Sequence, residues 1–455
     1  MVMKSKFIDA DRETLYFLPP SLQDWLPEKH LARYVVEIVD QLDLRSLKES
    51  YVGCGLKPYN PAMMVALLFY GYATGVFSSR QLERSTYDSV AFRFIAANSN
   101  PDHDTIANFR RRFLPEIGKI FVQILMIAQQ MDVLKLGRIS LDGSKIKANA
   151  SKHKALSYQR ACQQEEQIKA EVAALLKKAE SADQSDLPDG MNIPDELERR
   201  EKRLAAIAAA KAKLEERAAE RHALEQAAYE EKLAKRAEKE RKTGKKSKGK
   251  NLKPPKPGPT GKDQINLTDE ESRIMPTSGG GFQQSYNAQA GVDTKSKLII
   301  TAHLSQKPND KQELKPVLER LAVLPEKLGV TTELVADSGY FSEKNVTDCE
   351  KDKITPYIAT ERKSHHQSLH DRFSVPPPLP EKADAVERMK NRLKTETGKA
   401  IYAQRKITSE PVFGIIKSVM GFRNFMLRGY EAAGGEWLLV CLAFNIKRLH
   451  ILRAN

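Results

Sequence analysis

The apolar positions of the first 137 residues recur at the spacing of a helix. From His30 to Leu47, branched apolar residues repeat every three or four positions, which predicts one amphipathic helix. Asn60 and Pro61 form a helix start, with Asn as the N-cap and Pro at the first helical position. The helix that they open is predicted to end near Gly75. This pattern predicts an all-helical N-terminal segment.

Two shorter helices are predicted farther along the same segment. Ser78 and Ser79 open one of them, and Asp102 or Asp104 caps the other, which ends in three consecutive arginines. Short helices, tight turns and an Arg-rich last helix are typical of a helix-turn-helix-like DNA-binding module. A helical packing domain with solvated arginines would give the same pattern, so the local sequence leaves both interpretations open.

The middle of the chain, residues 152–264, has a different composition. Residues 156–181 and 194–242 are rich in strong helix formers and are separated by a stretch of helix breakers, which predicts two antiparallel helices. Few large apolar residues are present, so we expect a protruding arm. Residues 241–262 hold nine Lys or Arg and no acid among Pro and Gly, which predicts a flexible basic tether. Phosphate contact and a solvated linker both fit that tether.

The last segment alternates between strand patterns and helix patterns. A first strand at 138–143 precedes the arm, and four more are predicted after it. A turn at Lys295–Lys297 joins the first two of these four, and helices separate the later ones. The four strands are predicted at 285–293, 298–306, 333–340 and 356–360. This order predicts an α/β fold with helices on a mixed sheet.

Charge and composition narrow the class of protein. The 74 Lys and Arg outnumber the 59 Asp and Glu, which gives a net charge of +15 and favours a polyanionic partner, most commonly nucleic acid. The longest apolar runs fall well short of the ~20 residues that span a bilayer, and the N-terminus has no apolar stretch. We therefore expect a cytoplasmic, nucleoid-associated protein. The four widely spaced cysteines predict neither disulfides nor a zinc site.

Three acids stand out by their placement. Asp142 is predicted to end the first strand and Asp337 a later one, at the strand edge where α/β sites lie, and Glu410 lies on a late helix. Each Asp alone is explained more simply as a turn former. Together the three would form an acidic pocket that needs a counter-ion. Carboxylates suit Mg²⁺ or Mn²⁺, and two such ions can activate water and stabilise the leaving oxygen of a phosphodiester.

Stretches around these acids resemble bacterial insertion-sequence transposases of the DDE type. LDGSKIKANASKHKA resembles the first-Asp motif, GGGFQQSYNAQAGVD the second-strand block, LVADSGYFSEKNV the second-Asp motif, and YAQRKITSEPVFGIIK the block with the catalytic Glu. PYNPAMMVALLFYGYATGVFSSRQLE and PDHDTIANFRRRF resemble the N-terminal helical domain of that family. The resemblance spans roughly residues 15–150 and 265–450, nearly everything except the charged insertion.

The resemblance implies an α/β RNase H-like catalytic core with an N-terminal all-helical domain and a long helical insertion. The implied divisions are 1–137 (helix-turn-helix-like DNA-binding domain), 138–151 (first strand of the core), 152–264 (charged insertion with basic tether) and 265–455 (remainder of the core and C-terminal helices). It also implies that Asp142, Asp337 and Glu410 are the catalytic residues and the ligands of Mg²⁺ or Mn²⁺, with two ions expected.

The block around the Glu departs from the family pattern at one position. Related transposases have a Tyr, two residues, an Arg, three residues, the Glu, six residues and a Lys. Tyr402, Arg405, Glu410 and Lys417 follow this order, but four residues separate Arg405 from Glu410, and Lys406 has the three-residue spacing. Which of the two cations faces the acids stays open. The expected DNA-contacting residues are Arg110, Arg111, Arg112, Lys145, Lys147, Tyr402, Arg405, Lys406 and Lys417.

Two further polar or aromatic groups near the acids have competing interpretations. The block Tyr286–Gln289 lies on a predicted strand, where its polarity indicates either DNA contact or a position at the sheet edge. Tyr340 and Phe341 follow Asp337 and are expected to be core or pocket wall rather than base-stacking groups.

The function implied by the resemblance is that of a DNA transposase. Such an enzyme cleaves at the ends of an insertion sequence and transfers the freed strand into target DNA, so the expected partners are terminal inverted repeats, target DNA and at least one further copy of the chain. A catalytically inactive, transposase-derived DNA-binding protein is the alternative, although all three acids are present. A helical scaffold protein would explain only residues 156–242.

Overall fold

The computed structural model describes residues 21–49, 51, 58–181, 193–243, 252–277, 279–361 and 383–454. Seven α-helices occupy the described part of the N-terminal segment. They are α1 (Leu31–Asp40), α2 (Arg45–Glu49), α3 (Pro61–Thr74), α4 (Ser79–Asp88), α5 (Val90–Ile95), α6 (His103–Phe113) and α7 (Ile117–Gln130).

Local capping explains several boundaries of these helices. Asn60 Oδ1 accepts a hydrogen bond from the Ala62 amide at 2.8 Å, and Gly75 ends α3 at a φ of 86°, which an L side chain rarely adopts. Asp102, rather than Asp104, caps α6. The single helix predicted from His30 to Leu47 is wrong, because Asp43 accepts from the Arg45 amide at 3.1 Å and starts α2 separately.

A mixed six-stranded sheet forms the centre of the molecule. The strands of the chain are β1 (Leu136–Lys147), β2 (Ala155–Ser157), β3 (Gln264–Asn266), β4 (Arg273–Pro276), β5 (Phe282–Asp293), β6 (Ile299–Ser305), β7 (Gly329–Ala336) and β8 (Thr355–Ile358). β1 lies between β5, which is antiparallel to it, and β7, which is parallel. β8 extends the parallel side, and β4 and β6 both pair with β5. The predicted mixed sheet and the β5–β6 hairpin are confirmed.

Helices cover both faces of this sheet. The remaining ones in the described chain are α8 (Tyr158–Ser181), α9 (Ile193–Thr243), α10 (Leu314–Ala322), α11 (Glu343–Lys351), α12 (Ala385–Lys394), α13 (Glu396–Ala403), α14 (Ser409–Gly414) and α15 (Tyr430–Ala454). α10, α11 and α12 pack on Ile139 and Leu141 of β1. α15 packs on the other side, where the N-terminal helices share its hydrophobic core with β5 and β6.

The arm leaves and re-enters the body through one ribbon. β2 pairs with β3 in antiparallel register. β2 follows β1 along the chain and β3 precedes β5, and β1 and β5 are neighbours in the central sheet, where Ile146 faces Tyr286. Ion pairs Lys211–Glu165 at 2.6 Å and Arg200–Glu171 at 3.0 Å show that α8 and α9 run antiparallel, as predicted. The breaker stretch between the helices and residues 244–251 of the basic tether lie outside the described residues.

The predictions about cysteines and about membrane-spanning segments can be compared with the described residues. Cys162, Cys349 and Cys441 are free, and Cys54 lies outside the described residues. Within the described ranges no single helix has the length and apolar character to cross a membrane; only α3 with α4, bent by 96°, passes that test as a pair, on length and composition alone.

Candidate active site

Asp142 and Asp337 lie side by side on neighbouring parallel strands. Leu141 of β1 faces Ala336 of β7, and each of these two residues is followed directly by one of the acids, Asp142 or Asp337. Asp337 follows the last residue of β7, as predicted. The prediction that Asp142 ends β1 is wrong, because β1 continues to Lys147 and keeps its pairing with β5. Asp142 therefore lies where β1 extends beyond its parallel neighbour, which leaves its β7 side open.

The Asp337 carboxylate is fixed by the turn that follows it. Its Oδ1 accepts a hydrogen bond from the Gly339 amide at 2.8 Å and caps a single 3₁₀ turn, Ser338–Tyr340. A Cβ at Gly339 would lie only 3.0 Å from that same oxygen, so the tight turn favours glycine. Tyr340 is fully buried and Phe341 packs at the edge of the α10–α12 core, which confirms that they are core residues.

An interruption of the helical backbone just before Glu410 brings this residue towards the two aspartates. Residues Gln404–Ile407 form a 3₁₀ turn, Thr408 departs from helical geometry with φ −115° and ψ −80°, and α14 starts at Ser409. Pro411 lies in the first turn of α14, where its missing N–H costs nothing. Phe413, three residues after Glu410, stacks on the buried Trp437 at 5.9 Å and holds α14 against α15.

Arg405 is the cation that faces the acids. Its Nη2 lies 2.9 Å from Glu410 Oε1, and its Nη1 lies 3.8 Å from Asp142 Oδ2. Lys406 is exposed. The extra residue between Arg405 and Glu410 is therefore accommodated by the 3₁₀ turn and the break at Thr408, which direct Arg405 inward. This settles the alternative that the spacing left open.

Lys417 reaches the site from a π-helical turn, Ile415–Val419, which directly continues α14. Its Nζ donates a hydrogen bond to Ser144 Oγ, two residues beyond Asp142 on β1. Burial lowers the pKa of Lys417, while the charge of Asp142 acts in the opposite direction. Tyr402 lies beside Arg405, and burial raises its pKa. The structure thus places Tyr402, Arg405 and Lys417 beside the acids, and their contact with DNA stays a prediction.

The electrostatics of the site favour an added cation. Burial raises the pKa of Asp142 to about 6; the charges of Asp337 and Glu410 add to the rise, and the Gly143 amide and Arg405 oppose it. Hard carboxylate oxygens that repel one another are a donor set that suits Mg²⁺ or Mn²⁺. In the described part of the chain, however, no three His, Cys, Asp or Glu side chains already lie at the spacing of a metal site.

Sequence reasoning missed a polar network beside Asp142. Asp310 Oδ1 accepts hydrogen bonds from Asn287 Nδ2 and Gln289 Nε2, both at 2.7 Å. Gln289 Oε1 in turn accepts from the hydroxyl of Tyr340. A Cβ at Gly143 would overlap the Gln289 amide and lie 2.8 Å from Asp310 Oδ1, so the network packs directly against the strand position after Asp142.

A sequence signal for this network existed in β5. Asn287 and Gln289 alternate with apolar residues on a strand that is buried on both faces. Because a buried amide side chain is costly without a hydrogen bond, each of them requires a polar partner. Both predictions for the block Tyr286–Gln289 are wrong: its side chains are buried, so they do not face DNA, and β5 is a central strand, so they do not mark an edge.

Arg110 requires a correction. It was predicted to contact DNA, but only 6% of it is exposed, and it donates hydrogen bonds to the Tyr72 hydroxyl at 3.2 Å and the Phe77 carbonyl at 2.9 Å. The Tyr72 hydroxyl in turn donates to the buried Glu436 at 2.8 Å. Arg110 therefore supplies the positive charge of an interior network between α3, α6 and α15, and its helical position turns it away from solvent.

The other predicted DNA-contacting residues are at least partly accessible. Arg111 and Arg112 lie on the outer face of α6, where the Arg112 guanidinium stacks over the Tyr51 ring at 4.5 Å. Lys145 is partly buried and Lys147 is exposed, both beyond Asp142 on β1. The α6 arginines and the β1 lysines thus belong to different parts of the molecule.

Two parts of the chain match families of known proteins. Residues 257–446 match a family described as "Transposase DDE domain", and residues 20–112 match one described as "Transposase domain (DUF772)". The first match begins within the basic tether, after the end of α9, and includes Asp337 and Glu410. Asp142 lies outside the matched residues, and the pairing of β1 with β5 and β7 joins it to them. No curated protein and no solved structure was found to match the chain.

Proposed function

Because the chain belongs to the insertion-sequence transposases of the DDE type, we propose that it cleaves DNA at the ends of its element and transfers the freed strand into target DNA. The observation that supports this proposal is the position of Asp142 and Asp337 at one level of two parallel strands, with Glu410 of α14 linked to Asp142 through the guanidinium of Arg405. We propose an RNase H-like catalytic core on the same grounds.

Asp142, Asp337 and Glu410 are the residues that would hold Mg²⁺ or Mn²⁺, and we expect two ions. When bound, such ions supply Lewis-acid activation of the attacking oxygen and stabilise the leaving oxygen of the phosphodiester. Ser409 helps to orient the first acid, since its Oγ lies 3.4 Å from Asp142 Oδ2 and 3.1 Å from Ser140 Oγ.

The cations of the site are placed to bind a phosphate. The Nε of Arg405 is buried and has no hydrogen-bond partner among the described residues, so it retains a donor for a ligand. Tyr402 lies next to it, Lys417 contacts Ser144 on β1, and Lys145 and Lys147 lie farther along the same strand. These groups would hold the DNA backbone, which leaves the carboxylates to the reaction itself.

The remaining parts of the chain would bind and assemble DNA ends. We propose that Arg111, Arg112 and the basic tether contact phosphates, and that the arm contributes to pairing two element ends between copies of the chain, at least a dimer. This would place the protein on the nucleoid. A DNA-binding protein without catalytic activity remains the second candidate, and the cleavage experiment separates the two.

The deciding experiment is a cleavage assay with Mg²⁺ or Mn²⁺ on DNA that carries the element end. Asp142→Asn, Asp337→Asn and Glu410→Gln should each remove most cleavage while DNA affinity stays within a few fold, because the basic surface is unchanged. Glu319→Gln on the exposed face of α10 is a matched control. Wild-type rates in two of the three variants would refute the assignment, and wild-type protein that binds without cleaving would support the second candidate.

A further inference from the structure

A second concave surface lies at the root of the arm, away from the three acids. A cavity of about 700 Å³ opens between the end of β1, the turn before β2 and the hairpin of β4 and β5. Its cationic lining residues are Lys147, Lys152, Lys154 and Arg428, and no Asp or Glu lines it. None of these four cations forms an ion pair with another described residue. We call this surface the root groove.

An exposed aromatic ring lies in the same groove. Phe282, the first residue of β5, is 61% exposed and lines the cavity. The turn that precedes it is fixed by hydrogen bonds from the Thr277 amide to the Gly281 carbonyl and from the Gly280 amide to the Thr277 carbonyl, both 3.1 Å. Gly280 and Gly281 adopt φ values of 81° and 86°, which hold the ring outside the core. Packing into the hydrophobic core therefore does not explain why a phenylalanine occupies position 282.

We propose that the root groove binds an unpaired stretch of a DNA strand, with a base stacked on Phe282 and the adjoining phosphates on Lys152, Lys154 and Arg428. A basic, acid-free groove selects a polyanion, and an exposed ring within it adds a surface for a base, which is the combination that single-strand binding uses. An acidic peptide would use the cations but would gain little from the ring.

The root groove is within reach of the proposed active site. Lys147 lies five residues beyond Asp142 on the same strand, which is about 17 Å at roughly 3.4 Å per residue. That distance corresponds to about five base-pair steps of DNA. A strand whose phosphate lies at the acids can therefore continue into the groove. This inference rests on the proposed function for its choice of DNA, but its test uses binding alone.

The test measures binding of the full-length protein in EDTA, so that no cleavage occurs. The probes are a dye-labelled single strand of about 15 nucleotides, the same strand carrying 2-aminopurine, and a blunt duplex of the same sequence. Phe282→Ala should weaken single-strand binding about 10-fold and abolish the 2-aminopurine quenching that wild type gives. Phe282→Trp should retain both, and duplex affinity should change less than about twofold in either variant.

Matched controls separate stacking and local charge from general effects. Tyr87→Ala removes a ring of similar exposure on α4. Lys315→Glu with Lys327→Glu changes as much charge at exposed positions that do not line the groove as Lys152→Glu with Lys154→Glu does within it. The two control variants should bind the single strand like wild type. Equal single-strand affinity in wild type, Phe282→Ala and the groove charge variant would overturn the inference and leave the proposed function standing. Failure of wild type to bind either DNA would overturn both.

Discussion

The guanidinium of Arg405 lies 2.9 Å from the carboxylate of Glu410, and the same group approaches Asp142 at 3.8 Å. The residue at the family spacing, Lys406, is exposed instead. Arg405→Ala should therefore lower single-turnover cleavage about 10- to 100-fold, since hydrogen bonds to charged groups contribute about 1.5–3 kcal/mol. Lys406→Ala should change it less than about threefold. The reverse ranking would show that the spacing, and not the folded geometry, identifies the active-site cation.

The raised pKa of Asp142 predicts how stability changes with pH. Its pKa rises from 3.8 unfolded to about 6 folded, so the penalty for its charge is absent below pH 4 and fully present above pH 6. In EDTA, Asp142→Asn should be more stable than wild type by about 3 kcal/mol at pH 8. The difference should shrink towards zero near pH 4. Urea unfolding of both proteins across this range measures it, and a difference that grows on acidification would contradict the prediction.

The buried network of Arg110 predicts a division among the three arginines of α6. Arg110→Ala should cost about 3–5 kcal/mol of unfolding free energy, because it leaves the buried Glu436 without its nearby cation. Arg111→Ala and Arg112→Ala should leave stability within about 1 kcal/mol. If they contact phosphates, each should reduce the slope of log affinity against log salt by about 0.9. Thermal unfolding and salt-dependent anisotropy give the two measurements.

The network around Asp310 predicts that a small change beside Asp142 impairs catalysis. Gly143→Ala would push its new Cβ onto the Gln289 amide, which is held by Asp310 and Tyr340. We expect cleavage to fall more than about 10-fold while DNA affinity is kept. Gly137→Ala, on the same strand, is the control and should cleave like wild type, because a Cβ at that position would meet no atom within 4 Å. Full activity in Gly143→Ala would show that Gln289 moves freely.

The ribbon of β2 and β3 predicts that the arm can be removed. A short Gly/Ser bridge in place of residues 160–260 should leave the body folded, because β1 and β5 pair with each other and not with the arm. Binding of one DNA end should weaken, or assembly of two paired ends should fail. Thermal unfolding and gel shifts with one and two ends report these outcomes. Loss of the folded body would refute the arm interpretation, and unchanged paired-end assembly would refute its function.

The sequence alone determined the features that depend on neighbours in the chain. The cap at Asn60, the end of α3 at Gly75 and the two helices of the arm follow from local hydrogen bonds and helix propensity, which act within a few residues. The motifs around Asp337 and Glu410 likewise identified the family, since a motif is a local pattern.

Tertiary structure decided the features that depend on distant segments. Whether Asp142 ended its strand depended on β5, more than a hundred residues away, which carries β1 on to Lys147. Arg110 and Arg111 are neighbours in an identical local pattern, and only the packing of α6 against α3 and α15 decides which one is buried. Asp310 joins the site through β5 for the same reason. Polar side chains take whichever partners the packed elements bring to them, and no local pattern records those partners.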